Sequence, residues 1–450
     1  MMKKVLSLIL LLAACLSAAA QEDAVRLFAE NPDRASNNMH VYEFDPIVDT
    51  PAPKGFKPFY ISHYGRHGSR YELNSTFAAR AQECFPVLDS LGLLTQAGKD
   101  LWADVEAVVA AHKGMEGSLT THGAMEHRKL AARMAKRYPT IFKDKNREEI
   151  NCFSSTNFRC IVSMINFIYS LKEQYPKKDF TFTSAERFMA YINPSLSIPR
   201  PGETPAPRAP RNYGPRPQAP VGFQPAPGEP GYDFTRFLSQ IVTDIDATVK
   251  AIGNPEPFVH DICKAGGLCQ LIDELDVEIY RKYFTPEELA FFWASGNDNI
   301  YRMWGGSVEN GDVIRYAIRP LLMDFVEKAD AAIQPESHRA ADLRFGHDTS
   351  ILPLFALLGI DDLQGRVFPF KEAHNNGWYA FFQIPMATNI QMVFYKDKKG
   401  DVLTKILYNE KEVKLPGIEP VSGPYYSWPA LKAHFIQLCE KAAEPWNRQR

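Results

Sequence analysis

The chain has almost no excess of charge of either sign, because 51 lysines and arginines stand against 53 aspartates and glutamates, for a net charge of −2 at pH 7. A general nucleic-acid-binding protein would show a marked basic excess, so the charge balance argues against this class and any anion site must be local. Long hydrophobic runs are also scarce. After the first twenty residues, no apolar stretch is long enough to cross a bilayer as a helix.

Cysteine is infrequent as well, with seven residues in 450, and no C-x2-C pair or H-E-x-x-H motif is present. These absences argue against a zinc site. Six cysteines follow the first twenty residues: Cys84, Cys152, Cys160, Cys263, Cys269 and Cys439. In an oxidising compartment an even number permits disulfide bonds, and Cys263 and Cys269 could close a short loop around the flexible "KAGGL". Buried free thiols are the alternative.

The first twenty residues have the pattern of an export signal. Lys3 and Lys4 form the charged start, an apolar stretch follows, and Ala18-x-Ala20 is a small-residue cleavage site. We therefore predict a signal peptide at 1–20 and a periplasmic or secreted protein. The alternative is an outer-membrane lipoprotein, since Leu12-Ala13-Ala14-Cys15 resembles a lipobox. A lipid anchor at Cys15 would then be the only attachment to a membrane.

Alternating strand-like and helix-like segments predict an α/β protein. Phe59 to Tyr64 is rich in aromatic and β-branched residues, as expected of a buried strand, and helical patterns follow at 74–91, 99–113 and 123–138. Farther along, "INCFSSTNFRCIVSMINFIYSL" and "ADLRFGHDTSILPLFALLGI" each predict a strand, a polar turn and an apolar helix. The tail predicts a hairpin that turns at Lys399-Gly400.

Residues 194–230 interrupt this pattern, because they hold 12 of the 33 prolines and few apolar residues. Such a composition predicts an extended, solvated loop, although its four arginines could touch an anion. From Tyr232 to Ile333 the pattern is mostly helical. We therefore predict an α/β core built from 21–174 and 334–450, with 175–333 inserted as a helical cap that includes the Pro-rich loop.

The stretch "FYISHYGRHGSRYEL" gathers cationic and titratable side chains directly after the first strand. In Arg66-His67-Gly68-Ser69-Arg70, the glycine leaves room for a ligand beside the histidine ring, and the arginines are planar donors suited to phosphate oxygens. A helix starting here would add backbone donors. The arginines would neutralise an anion that otherwise repels a nucleophile, so His67 is a candidate nucleophile toward phosphorus. The alternative is a basic surface loop.

This segment resembles R-H-G-x-R, the signature of the histidine phosphatase superfamily in its acid phosphatase and phytase branch. Three later segments resemble the family in the same order. "LTTHGAMEHRKLAARMAKRY" is similar to its L-T-x-x-G helix, "SSTNFRCIVSM" to the segment that presents another phosphate-binding arginine, here Arg159, and "GHDTSILPL" to its H-D motif. The resemblance runs from Phe59 to Leu415 and leaves the Pro-rich loop and the cap unmatched. Of two H-D dipeptides, His347-Asp348 follows a predicted strand and His260-Asp261 does not.

The resemblance implies a Rossmann-like, phosphoglycerate mutase-like three-layer core with an inserted helical cap. It also implies that His67 attacks a phosphomonoester to form a phosphohistidine, and that Asp348 protonates the leaving oxygen and then activates water. The phosphate-binding residues would be Arg66, Arg70, Arg159 and His347. No metal or other cofactor is implied, and the only partner is a small-molecule phosphomonoester. Because Asp348 must be protonated for the first step, we expect activity to favour acidic pH.

Several of these residues have structural alternatives. Arg159 could instead form a structural salt bridge, and His63 could be either a second site residue or a buried structural histidine. His122 and His127 are expected to be exposed helix residues.

The substrate is less defined by the sequence than the reaction. Tyr71 and the C-terminal hairpin resemble the inositol polyphosphate phosphatase subgroup, but His347-Asp348-Thr349 departs from the H-A-E of that subgroup, and no lysine follows Arg70 to hold extra phosphates. We predict an exported histidine acid phosphatase with inositol polyphosphates, such as phytate, as the leading substrates. A general acid phosphatase acting on sugar phosphates or nucleotides is the alternative. A non-catalytic exported protein that binds phosphate esters is the alternative of another class.

Overall fold

The structure is a computed structural model that describes residues 23–194, 232–360 and 365–447. The predicted signal peptide, with Cys15, and the Pro-rich loop beyond Pro194 lie outside the described residues. Within the described ranges, no helix combines the length and apolar content needed to span a membrane.

A single mixed sheet organises the described chain. Its strands are β1 (Lys57–Arg66), β2 (Glu149–Ser154), β3 (Asp179–Ser184), β4 (Arg339–Gly346), β5 (Asn389–Lys396), β6 (Val402–Tyr408), β7 (Lys411–Glu412) and β8 (Tyr425–Ser427). The order is β3-β2-β4-β1-β5-β6-β7, and β8 pairs with β6. Strands β3, β2, β4 and β1 run parallel, whereas β5 is antiparallel to β1 and to β6. The predicted hairpin at Lys399-Gly400 is confirmed by the pairing of β5 with β6.

Helices cover both faces of the sheet and form a separate helical region. They are α1 (residues 23–30), α2 (Ala79–Ser90), α3 (Gln96–His112), α4 (Thr121–Arg137), α5 (Pro139–Lys143), α6 (Phe158–Gln174), α7 (Met189–Ile192), α8 (Thr235–Ile241), α9 (Ile245–Ile252), α10 (Glu256–Leu268), α11 (Ile279–Tyr283), α12 (Pro286–Trp304), α13 (Gly311–Ile333), α14 (Asp348–Leu358), α15 (Ala380–Gln383) and α16 (Trp428–Asn447).

The side chains of β1 alternate between two hydrophobic layers, as the period of a strand requires. Tyr60 and Tyr64 pack in a cluster with residues of α13, α14 and α16 on one face. Ile61 packs in a cluster with residues of α4 and α6 on the other face. Helices therefore bury both sides of the sheet, and the predicted three-layer α/β core is confirmed.

A third hydrophobic cluster lies among helices alone and includes residues of α2, α3, α8, α10 and α12. It draws on residues 79–112, which the predicted boundaries assign to the α/β core. Conversely, residues 175–333 contain β3, which joins the sheet, and α13, which packs against the sheet-covering helices α14 and α16. The helical region is thus assembled from segments on both sides of β2 in the chain.

The cysteines do not form the predicted bridge. All six cysteines of the described residues are free and buried. The segment "KAGGL" is not a flexible loop but lies in α10, so Cys263 and Cys269 cannot close a loop around it. Their sulfurs have different neighbours, the Tyr280 hydroxyl at 3.9 Å and the Ala265 carbonyl oxygen at 3.5 Å. Burial raises the pKa of both thiols to about 12, so they are unreactive packing groups.

Candidate active site

Three neighbouring parallel strands end at one edge of the sheet, and each is followed by predicted site residues. In the register, Arg66 at the end of β1 pairs with Gly346 at the end of β4, and Ser154 at the end of β2 pairs with Phe345. The segments 66–70, 155–159 and 347–348 therefore leave the sheet side by side. Ligands of open α/β sheets bind at this carboxyl edge.

Arg66 is fully buried and is held in place by groups distant in the sequence. Its Nη1 donates to the carbonyl oxygens of Asn38 at 2.6 Å and Ile384 at 2.7 Å, and its Nη2 donates to Asp348 Oδ2 at 3.0 Å. A buried guanidinium needs such partners, because an uncompensated charge in the interior is costly. These contacts hold Arg66 and Asp348 in a fixed position relative to each other.

The hydrogen bond made by the His67 ring leaves Nε2 as its unprotonated nitrogen. Its Nδ1 lies 2.9 Å from the Gly68 carbonyl oxygen, which can only accept, so Nδ1 carries the proton and Nε2 the lone pair. Burial first, and then the positive charges of Arg159 and Arg66, lower the pKa of His67 well below its usual value. Burial and these charges therefore favour the neutral form of the imidazole.

His347 lies close to His67, with the ring centroids 5.7 Å apart. Its Nε2 is 2.9 Å from Ser155 Oγ, and its Nδ1 is 3.4 Å from Arg159 Nη2. This network joins the residue after β4 to two residues after β2.

Asp348 is the first residue of α14, and both of its oxygens accept hydrogen bonds. Oδ2 accepts from Arg66 Nη2 and from Asn38 Nδ2, each at 3.0 Å, and Oδ1 accepts from the Thr349 N–H at 2.9 Å. Burial alone would raise the pKa of Asp348, but the charges of Arg66, His347, Arg70 and Arg159 outweigh it and lower the pKa to about 2. Without substrate, Asp348 is a carboxylate.

Arg70 and Arg159 keep donors free for an anion. Arg70 Nη1 donates to the Tyr71 carbonyl oxygen at 3.0 Å, and Arg159 Nη1 donates to Asn157 Oδ1 at 3.0 Å. The Nε atoms of both arginines are buried and have no partner among the described residues. Burial lowers the pKa of Arg70 to about 10, which still leaves it charged at neutral pH. Across the described ranges no carboxylate forms a salt bridge with Arg159, so the structural alternative for this residue has no support.

The loop after β1 differs from expectation in two respects. No helix starts there, and its backbone donors are used by the protein, because the Ser69 N–H donates to Glu126 Oε2 at 2.7 Å and the Gly68 N–H donates to Ser163 Oγ at 3.2 Å. Gly68 is required by packing rather than by ligand access. A Cβ there would lie 2.4 Å from the carbonyl oxygen of Gly123 in α4.

Three residues of the site were not predicted: Asn38, Ser155 and Glu126. Ser155 lies inside the segment that led to Arg159, and Glu126 lies inside the L-T-x-x-G segment, so proximity in the sequence could have suggested both. Asn38 follows Asn37, whose positive φ of 57° is unusual for a non-glycine residue. No local pattern connects this N-terminal turn with Asp348.

The remaining histidines lie outside the cluster. His260 is half-buried on α10, and its neighbour Asp261 accepts hydrogen bonds from the Arg80 and Ala81 N–H groups at the start of α2. The second H-D dipeptide is therefore structural. His122 is partly exposed and lies 2.7 Å from Asp273 Oδ1. The expectation that His127 is exposed was wrong, because it points into the layer between α4 and the sheet.

His63 and His127 are both buried among aromatic rings. Ring centroids are 5.4 Å apart for His63 and Phe167, and 5.7 Å apart for His127 and Phe345. Burial lowers the pKa of each histidine to about 3. In the unfolded chain the pKa is about 6.5, so the unfolded state binds more protons between the two values. The free energy of unfolding is therefore highest above pH 6.5 and decreases as the pH falls toward 3.

We expect each of these histidines to cost about 2 kcal/mol of unfolding free energy between pH 7 and pH 5. Urea unfolding of His63→Leu and His127→Leu at both pH values tests this. Each variant, whatever its absolute stability, should lose about 2 kcal/mol less than the unchanged protein over this interval. His338→Gln, at an exposed ring, is the control and should leave the pH dependence unchanged. If the unchanged protein, both leucine variants and His338→Gln lose the same unfolding free energy between pH 7 and pH 5, the low pKa values assigned to His63 and His127 are wrong.

No protein-family model matches the chain. Multiple inositol polyphosphate phosphatase 1 of Homo sapiens is 20% identical over 369 residues, which are 73% of this chain and 68% of that protein. The structure of Bifidobacterium longum multiple inositol polyphosphate phosphatase in complex with inositol hexasulfate has a TM-score of 0.68 and 19% identity, covering 89% of this chain and 97% of that chain. The phytase from D. castellii has a TM-score of 0.63 and 15% identity, covering 93% and 87%.

These structural similarities show the fold, and the sequence similarity to the human protein covers most of the chain. The chain therefore has the fold of these inositol polyphosphate phosphatase and phytase structures.

Proposed function

We propose that the protein is a phosphoric monoester hydrolase, with inositol polyphosphates such as phytate as its leading substrates. The observation that carries this proposal is the state of His67. Its Nε2 holds a lone pair, its pKa is depressed, and the positive charges of Arg66, Arg70 and Arg159 act on it. A neutral nucleophile in a cationic pocket suits attack on a phosphate anion.

In the first half-reaction, Nε2 of His67 attacks phosphorus and the bond from phosphorus to the leaving oxygen breaks. Asp348 gives its proton to that oxygen, so an alcohol leaves and a phosphohistidine remains. The guanidinium groups and His347 bind the non-bridging oxygens, on which negative charge must be stabilised.

Asp348 must be protonated for this step, although its pKa in the unliganded protein is about 2. A bound phosphate dianion offsets the guanidinium charges that hold this pKa down. Substrate binding therefore raises the pKa of Asp348 and takes up a proton, by the reciprocity of linked binding equilibria. The expected preference for acidic pH follows from this proton uptake.

In the second half-reaction, the Asp348 carboxylate takes a proton from water while the water oxygen attacks phosphorus. The phosphorus–nitrogen bond breaks, His67 recovers its lone pair, and orthophosphate is released. Asp348 is again protonated and ready for the next ester.

The alternative of a binding protein without activity has less support. Anion binding needs the arginines, but it does not need an unprotonated imidazole beside a carboxyl group that can exchange a proton. Inositol polyphosphates are favoured over sugar phosphates and nucleotides because the sequence relative and the Bifidobacterium longum protein are named for them. We also propose that the protein acts in the periplasm or outside the cell, from the signal pattern at 1–20, or on the outer membrane if Cys15 is lipidated.

Phosphate release from purified protein tests the function. With p-nitrophenyl phosphate and phytate at about pH 5, in the presence of a chelator, we expect turnover of both esters. Hydrolysis of p-nitrophenyl phosphate alone would support the general acid phosphatase. Absence of turnover with both esters, in protein that still binds phosphate by calorimetry, would support the binding protein instead.

A further inference from the structure

One wall of the site is a short ribbon formed by residues 69–72 and 117–120. Arg70 and Leu119 form an antiparallel bridge, and the Gly117 N–H donates to the Glu72 carbonyl oxygen at 3.0 Å. Successive side chains of an extended segment alternate between its two sides. Glu72 therefore lies on the same side of the ribbon as Arg70, which is the side of the phosphate site.

The outer end of this wall reaches the rim of the site. A Cβ added to Gly117 would lie 3.7 Å from Arg159 Nη1 and 3.0 Å from Leu73 Cδ2. Leu73 is 47% exposed. Glu72, Leu73 and Gly117 thus form a rim, here called the ribbon rim, between solvent and the two arginines Arg70 and Arg159.

The ribbon rim carries negative charge. The Glu72 carboxylate has no hydrogen-bond or ion-pair partner among the described residues, and its charge opposes the effect of burial on the pKa of Arg70. Neither residues 71–76 nor residues 114–118 include a lysine or arginine. The Glu72 N–H donates to His112 Nδ1 at 2.9 Å, which fixes the backbone at this point. An anion entering along this wall meets an unpaired carboxylate.

We propose that Glu72 is a specificity-determining residue that disfavours a second phosphate group beside the one under attack. This inference rests on the proposed function and refines its substrate class. An inositol polyphosphate would bind with an unphosphorylated hydroxyl, and not a phosphate, toward the ribbon rim. The protein would then act better on partly dephosphorylated inositol phosphates than on phytate, in which every ring position is charged.

Glu72→Gln and Glu72→Lys test this through the ratio of kcat/KM for phytate to kcat/KM for p-nitrophenyl phosphate. Removing one charge near a phosphate dianion is expected to raise this ratio about tenfold for Glu72→Gln, and further for Glu72→Lys. Added salt should reduce the difference in this kcat/KM ratio between the unchanged protein and the variants, since salt screens exposed charges. The matched control is Glu116→Gln on the same ribbon. The Glu116 side chain folds onto the Gly114 N–H at 3.0 Å, so its removal should leave the ratio unchanged.

The two proposals can fail separately. If the unchanged protein hydrolyses both esters and neither Glu72 variant changes the ratio, the role of Glu72 is overturned while the phosphatase stands. If the unchanged protein hydrolyses neither ester, the proposed function fails. Calorimetric affinities for phytate and inorganic phosphate then test Glu72 without turnover, with the same tenfold shift in their ratio expected. An equal ratio in all variants would overturn the inference there too.

Discussion

Replacing His67 with alanine is expected to lower kcat by more than roughly 10³-fold for every phosphomonoester, because the covalent route through phosphohistidine is lost. Binding of inorganic phosphate should stay within several-fold, since Arg66, Arg70, Arg159 and His347 remain. Steady-state kinetics and calorimetry on the same preparation separate the two effects. Mass spectrometry of the unchanged protein quenched during turnover should find phosphate on His67.

The matched control for this experiment is His260→Ala. It removes the half-buried histidine of the other H-D dipeptide, on α10, and should leave kcat unchanged. Equal losses in both variants would indicate general destabilisation. Full activity of His67→Ala would show that another group is the nucleophile, even if the protein is a phosphatase.

Replacing Asp348 with asparagine is expected to have an effect that depends on the leaving group. Phytate leaves an alkoxide that needs a proton, so its kcat should fall roughly 10²- to 10⁴-fold. The p-nitrophenolate ion leaves without protonation, so formation of phosphohistidine should continue. The second half-reaction, however, loses its base. We expect a burst of about one p-nitrophenolate per site followed by slow turnover, measured by stopped flow.

Asparagine preserves the shape of Asp348 and can still accept from Arg66 Nη2, whose present distance to Oδ2 is 3.0 Å. The variant therefore tests the proton and not the position of the side chain. Equal losses for both esters without a burst would remove Asp348 as the proton donor. The His347-Asp348-Thr349 sequence would then have a structural role, and the donor would have to be sought elsewhere at the sheet edge.

The sequence predicted the parts of the site that follow strands. Arg66-His67 and His347-Asp348 each follow a strand-like run that ends in a glycine, and this pattern is local. Parallel pairing of β1, β4 and β2 then brings the segments together without further information. The α/β class followed from the same alternation of elements.

Contacts that span most of the chain could not be predicted in this way. The hydrogen bond from Asn38 to Asp348 joins an N-terminal turn to α14, and nothing in "NPDRASNNM" indicates it. The role of Gly68 was misjudged for the same reason, since the group that excludes a side chain there is the distant Gly123. The predicted pairing of Cys263 with Cys269 is wrong because Gly266 and Gly267 between them lie in a buried helix and not in a loop.

The carbonyl oxygens that hold Arg66 come from near the two ends of the chain, Asn38 and Ile384. The phosphate site is consequently one of the last features to be completed during synthesis, whatever order the helices form in. The site cannot form while Ile384 is still inside the ribosome, because its carbonyl oxygen accepts a hydrogen bond from Arg66.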